Sequence, residues 1–172
     1  MKLSFNWHNL PQYMMLGSSP EEELIVYRGF DPTKEDSAVG FLSAAYANGA
    51  QNVIDDVIAE VAAGDTIRLF NYIVPHTQPG GWRDRGLTPF ISATPELEIA
   101  KRYAHGEGEQ VATMVVRADQ LVTDAMFTYE ALVIGYISPE QIVAVEDAPN
   151  VPSFNASYPA FDSSMLDRSM YR

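Results

Sequence analysis

The chain has 172 residues, of which 47% are hydrophobic, 20% are charged and none is cysteine. This composition is typical of one globular domain, and the lack of cysteine excludes disulfides, thiolate metal sites, iron–sulfur clusters and a cysteine nucleophile. With 11 Lys and Arg against 23 Asp and Glu, the formal net charge is −12. This charge argues against broad binding to nucleic acid or anionic lipid, because the phosphate interaction is repulsive.

The N-terminal half predicts an irregular segment, a strand and two helices. Residues 24–27 are aliphatic and aromatic, stand between acids and an Arg-Gly pair, and are typical of a short buried strand. Positions 37–62 show a helical repeat of apolar residues, which the Asn48-Gly49 pair divides into two helices. We expect Gly64 to end the second helix, since glycine adopts the left-handed conformation that closes helix C-termini.

The middle of the chain predicts a strand, a loop and a strand-to-helix junction. Residues 66–74, TIRLFNYIV, are interpreted as a strand, and the charged segment 75–86, which is rich in Pro and Gly, as a loop. Residues 89–92 are expected to be extended. Thr94 is the predicted N-cap of a helix that has Pro95 at its first position.

The second half predicts mostly strands, and hence an α+β domain with a largely antiparallel sheet. The predicted strands cover residues 111–117, 130–137 and 141–145. The predicted organisation is an irregular N-terminal segment, one folded domain and a polar and aromatic C-terminal tail, over residues 1–23, 24–148 and 149–172.

Membrane spans, signal peptides and metal sites have no sequence signature in this chain. No stretch approaches the ~18 apolar residues of a membrane span, and polar residues interrupt the N-terminal apolar ones. We therefore expect a protein of the cytoplasm, or one delivered into another cell without a secretory signal. His8, His76 and His105 lack metal-ligand spacing and are interpreted as surface or packing residues.

Arg28 directly follows the predicted strand at 24–27 and precedes Gly29. A guanidinium at the end of an apolar strand needs a partner, and its planar fork suits a diphosphate. Gly29 would let such a ligand approach the backbone. The alternative is that Arg28 is paired with a structural carboxylate.

Ser92, Thr94 and Glu130 are further side chains suited to chemistry. Ser92 and Thr94 stand before a predicted helix N-terminus, whose free N–H groups and positive dipole favour an anion or a sugar. The alternative for Thr94 is simple helix capping. Glu130 opens a strongly apolar strand, where its carboxylate could stabilise positive charge developing on a substrate. The alternative is a strand-end glutamate facing water.

The order and content of these segments resemble the ADP-ribosyltransferase superfamily, in the branch of cholera-toxin-like and pierisin-like enzymes whose signature is Arg, Ser and Glu. The Tyr27-Arg28 pair matches the first motif of that branch. Residues 90–94, Phe-Ile-Ser-Ala-Thr, match its Ser-Thr-Ser-like strand. Glu130, its apolar strand and the Ile-Ser-Pro-Glu-Gln-Ile turn at 137–142 match the third motif. The resemblance extends from about Leu24 to Val145.

This resemblance implies a single domain of two packed, mostly antiparallel sheets with helices around an NAD cleft. It implies that Arg28 binds the NAD phosphates, and that Ser92 fixes the nicotinamide ribose or holds Glu130. Glu130 would bond the ribose 2′-hydroxyl and stabilise the cationic transition state as nicotinamide leaves. NAD would serve as substrate, with no metal. The function implied is mono-ADP-ribosyl transfer, or hydrolysis of NAD.

The resemblance also assigns further binding residues. Gly29, Thr94 and Tyr103 would contribute to the NAD site, although the helical spacing of Tyr103 also suits a core residue. The segment before the catalytic glutamate, Phe127, Thr128 and Tyr129, would contact the target. Arginine-modifying relatives carry a second glutamate where this chain has Thr128. We therefore expect a protein acceptor that is modified at a residue other than arginine, or water.

Two other functions are compatible with the same scaffold. A catalytically inactive binding module would explain the absence of an acid at Thr128. A relative that modifies nucleic acid would have to overcome the net charge of −12, which argues against tight binding to a duplex.

Overall fold

A computed structural model describes residues 20–64, 66–77, 87–104, 108–123 and 130–148. Within these residues two strands are followed by three helices, a strand, a fourth helix and five strands, and two 3₁₀ turns follow β4 and β7. The elements are β1 Glu23–Phe30, β2 Phe41–Leu42, α1 Ala44–Ala47, α2 Gln51–Ala63, α3 Thr66–Thr77, β3 Phe90–Ala93, α4 Leu97–Tyr103, β4 Gln110–Arg117, β5 Leu121–Thr123, β6 Ala131–Ile134, β7 Tyr136–Ile137 and β8 Ile142–Asp147.

The strands form two three-stranded sheets and one two-stranded pair, all antiparallel. The first sheet has the order β1-β4-β8 and the second the order β3-β6-β5, while β2 pairs with β7. A single bridge joins β1 to the end of β3: Tyr27 N donates to Thr94 O at 2.8 Å, and Thr94 N donates to Tyr27 O at 2.9 Å. The α+β class and the antiparallel sheets predicted from the sequence are confirmed.

The second sheet is buried on both faces. One core cluster joins it to the first sheet through Val26, Met114, Ile91 and Val133. On the opposite face, a second cluster packs α2 and α3 against Phe90 and Leu132, and its helical members are Ile54, Val57, Val61, Leu69 and Ile73. Burial on both faces explains why β6 reads as a continuous apolar run rather than an alternating one.

The prediction of a strand over residues 66–74 is wrong, because this segment lies in helix α3. Leu69, Ile73 and His76 are spaced four and three residues apart and are all buried, which is the pattern of one helical face. The alternating pattern of TIRLFNYIV was compatible with both periods, and packing against α2 selects the helix. Pro75 falls within the last turn of α3, so the prediction of a loop is wrong for residues 75–77, and residues 78–86 of that loop lie outside the described residues.

The boundaries of two other predicted helices shift. Residues 37–43 are not helical: β2 pairs with β7, and Ser43 caps α1 by accepting a hydrogen bond from Tyr46 N. The break at Asn48-Gly49 and the end at Gly64 are confirmed, with Gly64 at φ 67°. Thr94 is not the helix N-cap. Its backbone pairs with Tyr27 and α4 begins at Leu97, so Pro95 precedes the helix.

The strand predicted over residues 130–137 is interrupted. Gly135, at φ 82°, separates β6 from β7, and it allows the chain to leave one sheet and join the β2-β7 pair. No helix of the described residues is long and apolar enough to cross a membrane. The predicted tail over 149–172 and residues 1–19 of the predicted N-terminal segment lie outside the described residues.

Candidate functional site

The three strands that carry the sequence motifs are neighbours. The Tyr27–Thr94 bridge places Arg28, one residue later on β1, beside β3. In the β3-β6 pair Ala93 is opposite Ala131, so Glu130 comes one residue before the last rung of that pair. The motif residues therefore converge where the two sheets meet.

Arg28 is held at three points. Its Nη1 donates to Ser92 O at 2.6 Å, and its Nη2 donates to both carboxylate oxygens of Glu35, at 2.9 and 3.0 Å. Its Cζ atom lies 5.5 Å from the centroid of the Phe41 ring, a cation–π contact. Of the two interpretations of Arg28, pairing with a carboxylate of the chain is the one observed.

The guanidinium of Arg28 still has unused donor capacity. Its Nε is buried and has no hydrogen-bond acceptor among the described residues. A buried, unsatisfied N–H costs free energy, so a polar ligand atom that reached it would be stabilised. The residues at this junction thus fit an anionic or polar ligand better than an apolar one.

Ser92 is anchored through its side chain as well as its carbonyl. His76 Nε2 lies 3.0 Å from Ser92 Oγ, and His76 Nδ1 lies 2.5 Å from Thr88 Oγ1. The imidazole is 4% exposed and meets the edge of the Phe90 ring at 5.6 Å. A buried ring that bridges two hydroxyls fixes the orientation of the serine.

The sequence interpretation did not assign His76 to the site. The sequence predicts a surface or packing residue there, because His76 is a lone histidine without metal-ligand spacing. The helical period of α3 is the signal that could have found it. Three residues after the buried Ile73, that period places His76 on the face turned toward β3.

Gly29 serves the packing of a helix. A Cβ atom at Gly29 would lie 2.6 Å from Ala100 O and 2.9 Å from Ala104 Cβ, so α4 occupies the space beside it. The close approach predicted for a ligand is here made by α4. This contact anchors α4 across β1 and thereby supports the strand that carries Arg28.

Thr94, Tyr103 and Glu130 differ in their surroundings. Thr94 is buried, and its Oγ1 accepts a hydrogen bond from Glu96 N at 3.1 Å. Tyr103 lies in the last turn of α4 and is partly buried, as is Glu130. The predicted target-contacting residues Phe127, Thr128 and Tyr129 lie outside the described residues.

No group of three or more His, Asp or Glu in the described ranges could hold a metal ion. The side chains available at the junction are the Arg28 guanidinium, the Ser92 hydroxyl oriented by the His76 imidazole, and the carboxylates of Glu35 and Glu130.

Comparisons of the chain with protein-family models, with curated proteins and with solved structures gave no match.

Proposed function

We propose that the protein is an NAD-dependent mono-ADP-ribosyltransferase, or an NAD glycohydrolase, of the Arg-Ser-Glu branch. The observation that carries the proposal is the hydrogen bond from Arg28 Nη1 to Ser92 O, 64 residues apart in the chain. This contact brings the first two motif segments together, as the resemblance requires, and so supports the proposal. The position of Glu130, one residue before the last β3-β6 rung, supports the same assignment.

Each residue has a role that its chemistry allows. The fork of Arg28 would bind the diphosphate of NAD, since planar bidentate donors match phosphate oxygens. The Glu130 carboxylate would stabilise the positive charge that develops on the ribose as the bond between C1′ and the nicotinamide nitrogen breaks. The bonding electrons leave with nicotinamide, which departs neutral, and a nucleophile attacks C1′ and releases a proton.

Ser92 would act as a positioning group in this reaction. Its hydroxyl is oriented by His76 and its carbonyl by Arg28, so it is fixed from two sides. A rigid hydroxyl at the junction can hold the ribose or the Glu130 carboxylate without an entropic cost at the moment of reaction. Water, or a protein side chain other than arginine, is the proposed acceptor, because Thr128 supplies no second carboxylate.

A second candidate function is a non-catalytic binding module on the same scaffold. It is favoured by the ion pair between Arg28 and Glu35, which occupies the Nη2 group that a phosphate would need. In such a module this ion pair would be a permanent structural contact, and a protein partner would be bound elsewhere. The two candidates differ in whether nicotinamide is released from NAD.

The deciding experiment measures nicotinamide release from NAD by the full chain and by Glu130→Gln. We expect the substitution to lower the rate at least about a hundredfold, because it removes a charge that stabilises the transition state. Glu98→Gln is the matched control: Glu98 is an exposed residue of α4 paired with Lys101, and its substitution should leave the rate unchanged. Equal rates in folded Glu130→Gln and wild-type protein would refute the assignment of Glu130.

A further inference from the structure

We propose that Glu35 is an internal substitute for a substrate phosphate: its carboxylate occupies the Nη2 group of Arg28, and a diphosphate ligand must displace it to bind. The inference rests on the proposed function only for the identity of the diphosphate as that of NAD. The anion-binding role of the Arg28 fork can be tested without any turnover.

The carboxylate of Glu35 occupies one nitrogen of the Arg28 guanidinium that an external anion would need. One nitrogen, Nη2, donates to both carboxylate oxygens, at 2.9 and 3.0 Å. Carboxylate and phosphate oxygens are interchangeable partners of a guanidinium, since both offer several lone pairs and a negative charge. Glu35 therefore takes the place of an external anion.

Arg28 cannot easily turn toward another anion. Its Nη1 is bound to Ser92 O at 2.6 Å, and its Cζ lies over the Phe41 ring at 5.5 Å. The side chain is 20% exposed, which leaves little room for another rotamer. A ligand that uses this guanidinium must come to the edge formed by Nε and Nη2, where Glu35 now lies.

Glu35 can leave without disturbing the core. Both of its carboxylate oxygens contact Arg28, and no other donor among the described residues holds them. The side chain is 30% exposed and belongs to the surface segment 31–40. A change of side-chain rotamer moves the carboxylate into solvent. The backbone of the segment can stay in place, because Phe41, which follows the segment, remains buried in β2.

The segment is fixed on both sides of Glu35. Asp31 Oδ1 accepts hydrogen bonds from Thr33 N at 2.9 Å and Thr33 Oγ1 at 2.7 Å. Gly40, at φ 92°, packs so tightly that a Cβ there would collide with Ile137 O. These contacts keep the Glu35 carboxylate near Arg28, so it competes with a ligand as an attached anion at high local concentration.

The opposite role would be a permanent support, in which Glu35 holds Arg28 in the orientation that a ligand needs. The two roles predict opposite changes in the affinity for an anion when Glu35 is replaced. Removing a competitor strengthens anion binding, whereas removing a support weakens it or leaves it unchanged. A partly exposed ion pair is a modest competitor, so its removal should change affinity by up to about fivefold.

The test is calorimetric titration of the full chain with inorganic pyrophosphate. We expect Glu35→Gln to bind pyrophosphate about fivefold more tightly than the wild type. Glu98→Gln changes the net charge by the same amount at a surface ion pair and should bind like the wild type. Adding Arg28→Lys to Glu35→Gln should abolish the gain, because lysine lacks the planar fork.

Three results would overturn the proposal: an unchanged or weaker affinity in Glu35→Gln, an equal gain in Glu98→Gln, or a gain that survives Arg28→Lys. Glu35→Ala repeats the test if Glu35→Gln fails to fold. Failure of the proposed function is distinguishable, since it is seen as nicotinamide release that is absent or independent of Glu130. Tighter pyrophosphate binding in Glu35→Gln would support the inference even then.

Discussion

The ring nitrogen His76 Nε2 lies 3.0 Å from Ser92 Oγ and thus joins the last turn of α3 to the central residues of β3. Its other nitrogen contacts Thr88 Oγ1, so one buried ring orients two hydroxyls that are four positions apart. This relationship makes the geometry of Ser92 depend on a helix that carries no other residue of the proposed site.

Two substitutions at His76 separate its two contacts. Gln can place a nitrogen near the position of Nε2 and Asn near that of Nδ1, so His76→Gln should keep the contact to Ser92 and His76→Asn the contact to Thr88. Each variant loses one of the two hydrogen-bond contacts of a buried ring, and we expect each to lower the free energy of unfolding by about 1–3 kcal/mol. Nicotinamide release should fall more in His76→Asn than in His76→Gln. Equal losses of activity would show that the imidazole acts on stability alone.

Arg28→Lys is expected to impair both stability and ligand binding. An ammonium cannot donate to Ser92 O and form a planar fork at the same time, so one of these contacts is lost. We expect a loss of about 1–3 kcal/mol in the free energy of unfolding and a rise in the KM for NAD. The matched control is Arg117→Lys, at an exposed arginine paired with Asp119. If both variants show the same KM, Arg28 does not bind the substrate.

Gly29→Ala is expected to destabilise the protein without any ligand. The new methyl group would collide with the backbone of Ala100, which cannot move unless α4 shifts away from β1. Overpacking of this kind costs about 1–3 kcal/mol in the free energy of unfolding. Urea denaturation measures this change, and Ala62→Gly at an exposed position of α2 gives a reference of about 1 kcal/mol. A Gly29→Ala protein as stable as the wild type would contradict the packing role.

Asp31 makes the stability of the surface segment sensitive to acid. Hydrogen bonds from the side chain and backbone of Thr33 lower the pKa of the Asp31 carboxyl below its usual value of 3.8. Because the folded-state pKa is the lower one, the stabilisation is present above pH 3.8 and is lost as the pH falls through the folded-state value. Thermal unfolding should show a lower Tm for Asp31→Asn than for the wild type at pH 7, and a smaller difference at pH 3. A difference that stays constant with pH would exclude this linkage.

The local sequence pattern predicts an element correctly where the spacing of its apolar residues fits either a strand or a helix, but not both. The apolar run at 24–27 predicts part of β1, and Gly64 ends α2 in the left-handed conformation. Segment 66–74 is ambiguous, because Ile67 and Leu69 are two residues apart, as in a strand, while Leu69 and Ile73 are four residues apart, as in a helix. Only the neighbouring helix α2, which offers a surface for Leu69 and Ile73, resolves this ambiguity.

The sequence by itself determined the α+β class, the acidic character and the strand that begins β1, because composition and short-range periodicity are properties of neighbouring residues. The tertiary structure decided which side chains meet. The partners of Arg28 are Glu35, seven positions away, and Ser92, 64 positions away. Neither choice follows from local pattern, since each depends on how β1 crosses the end of β3 and how the segment after β1 turns back. His76 reached Ser92 for the same reason: the packing of α3 on the second sheet brings together groups that no sequence spacing relates.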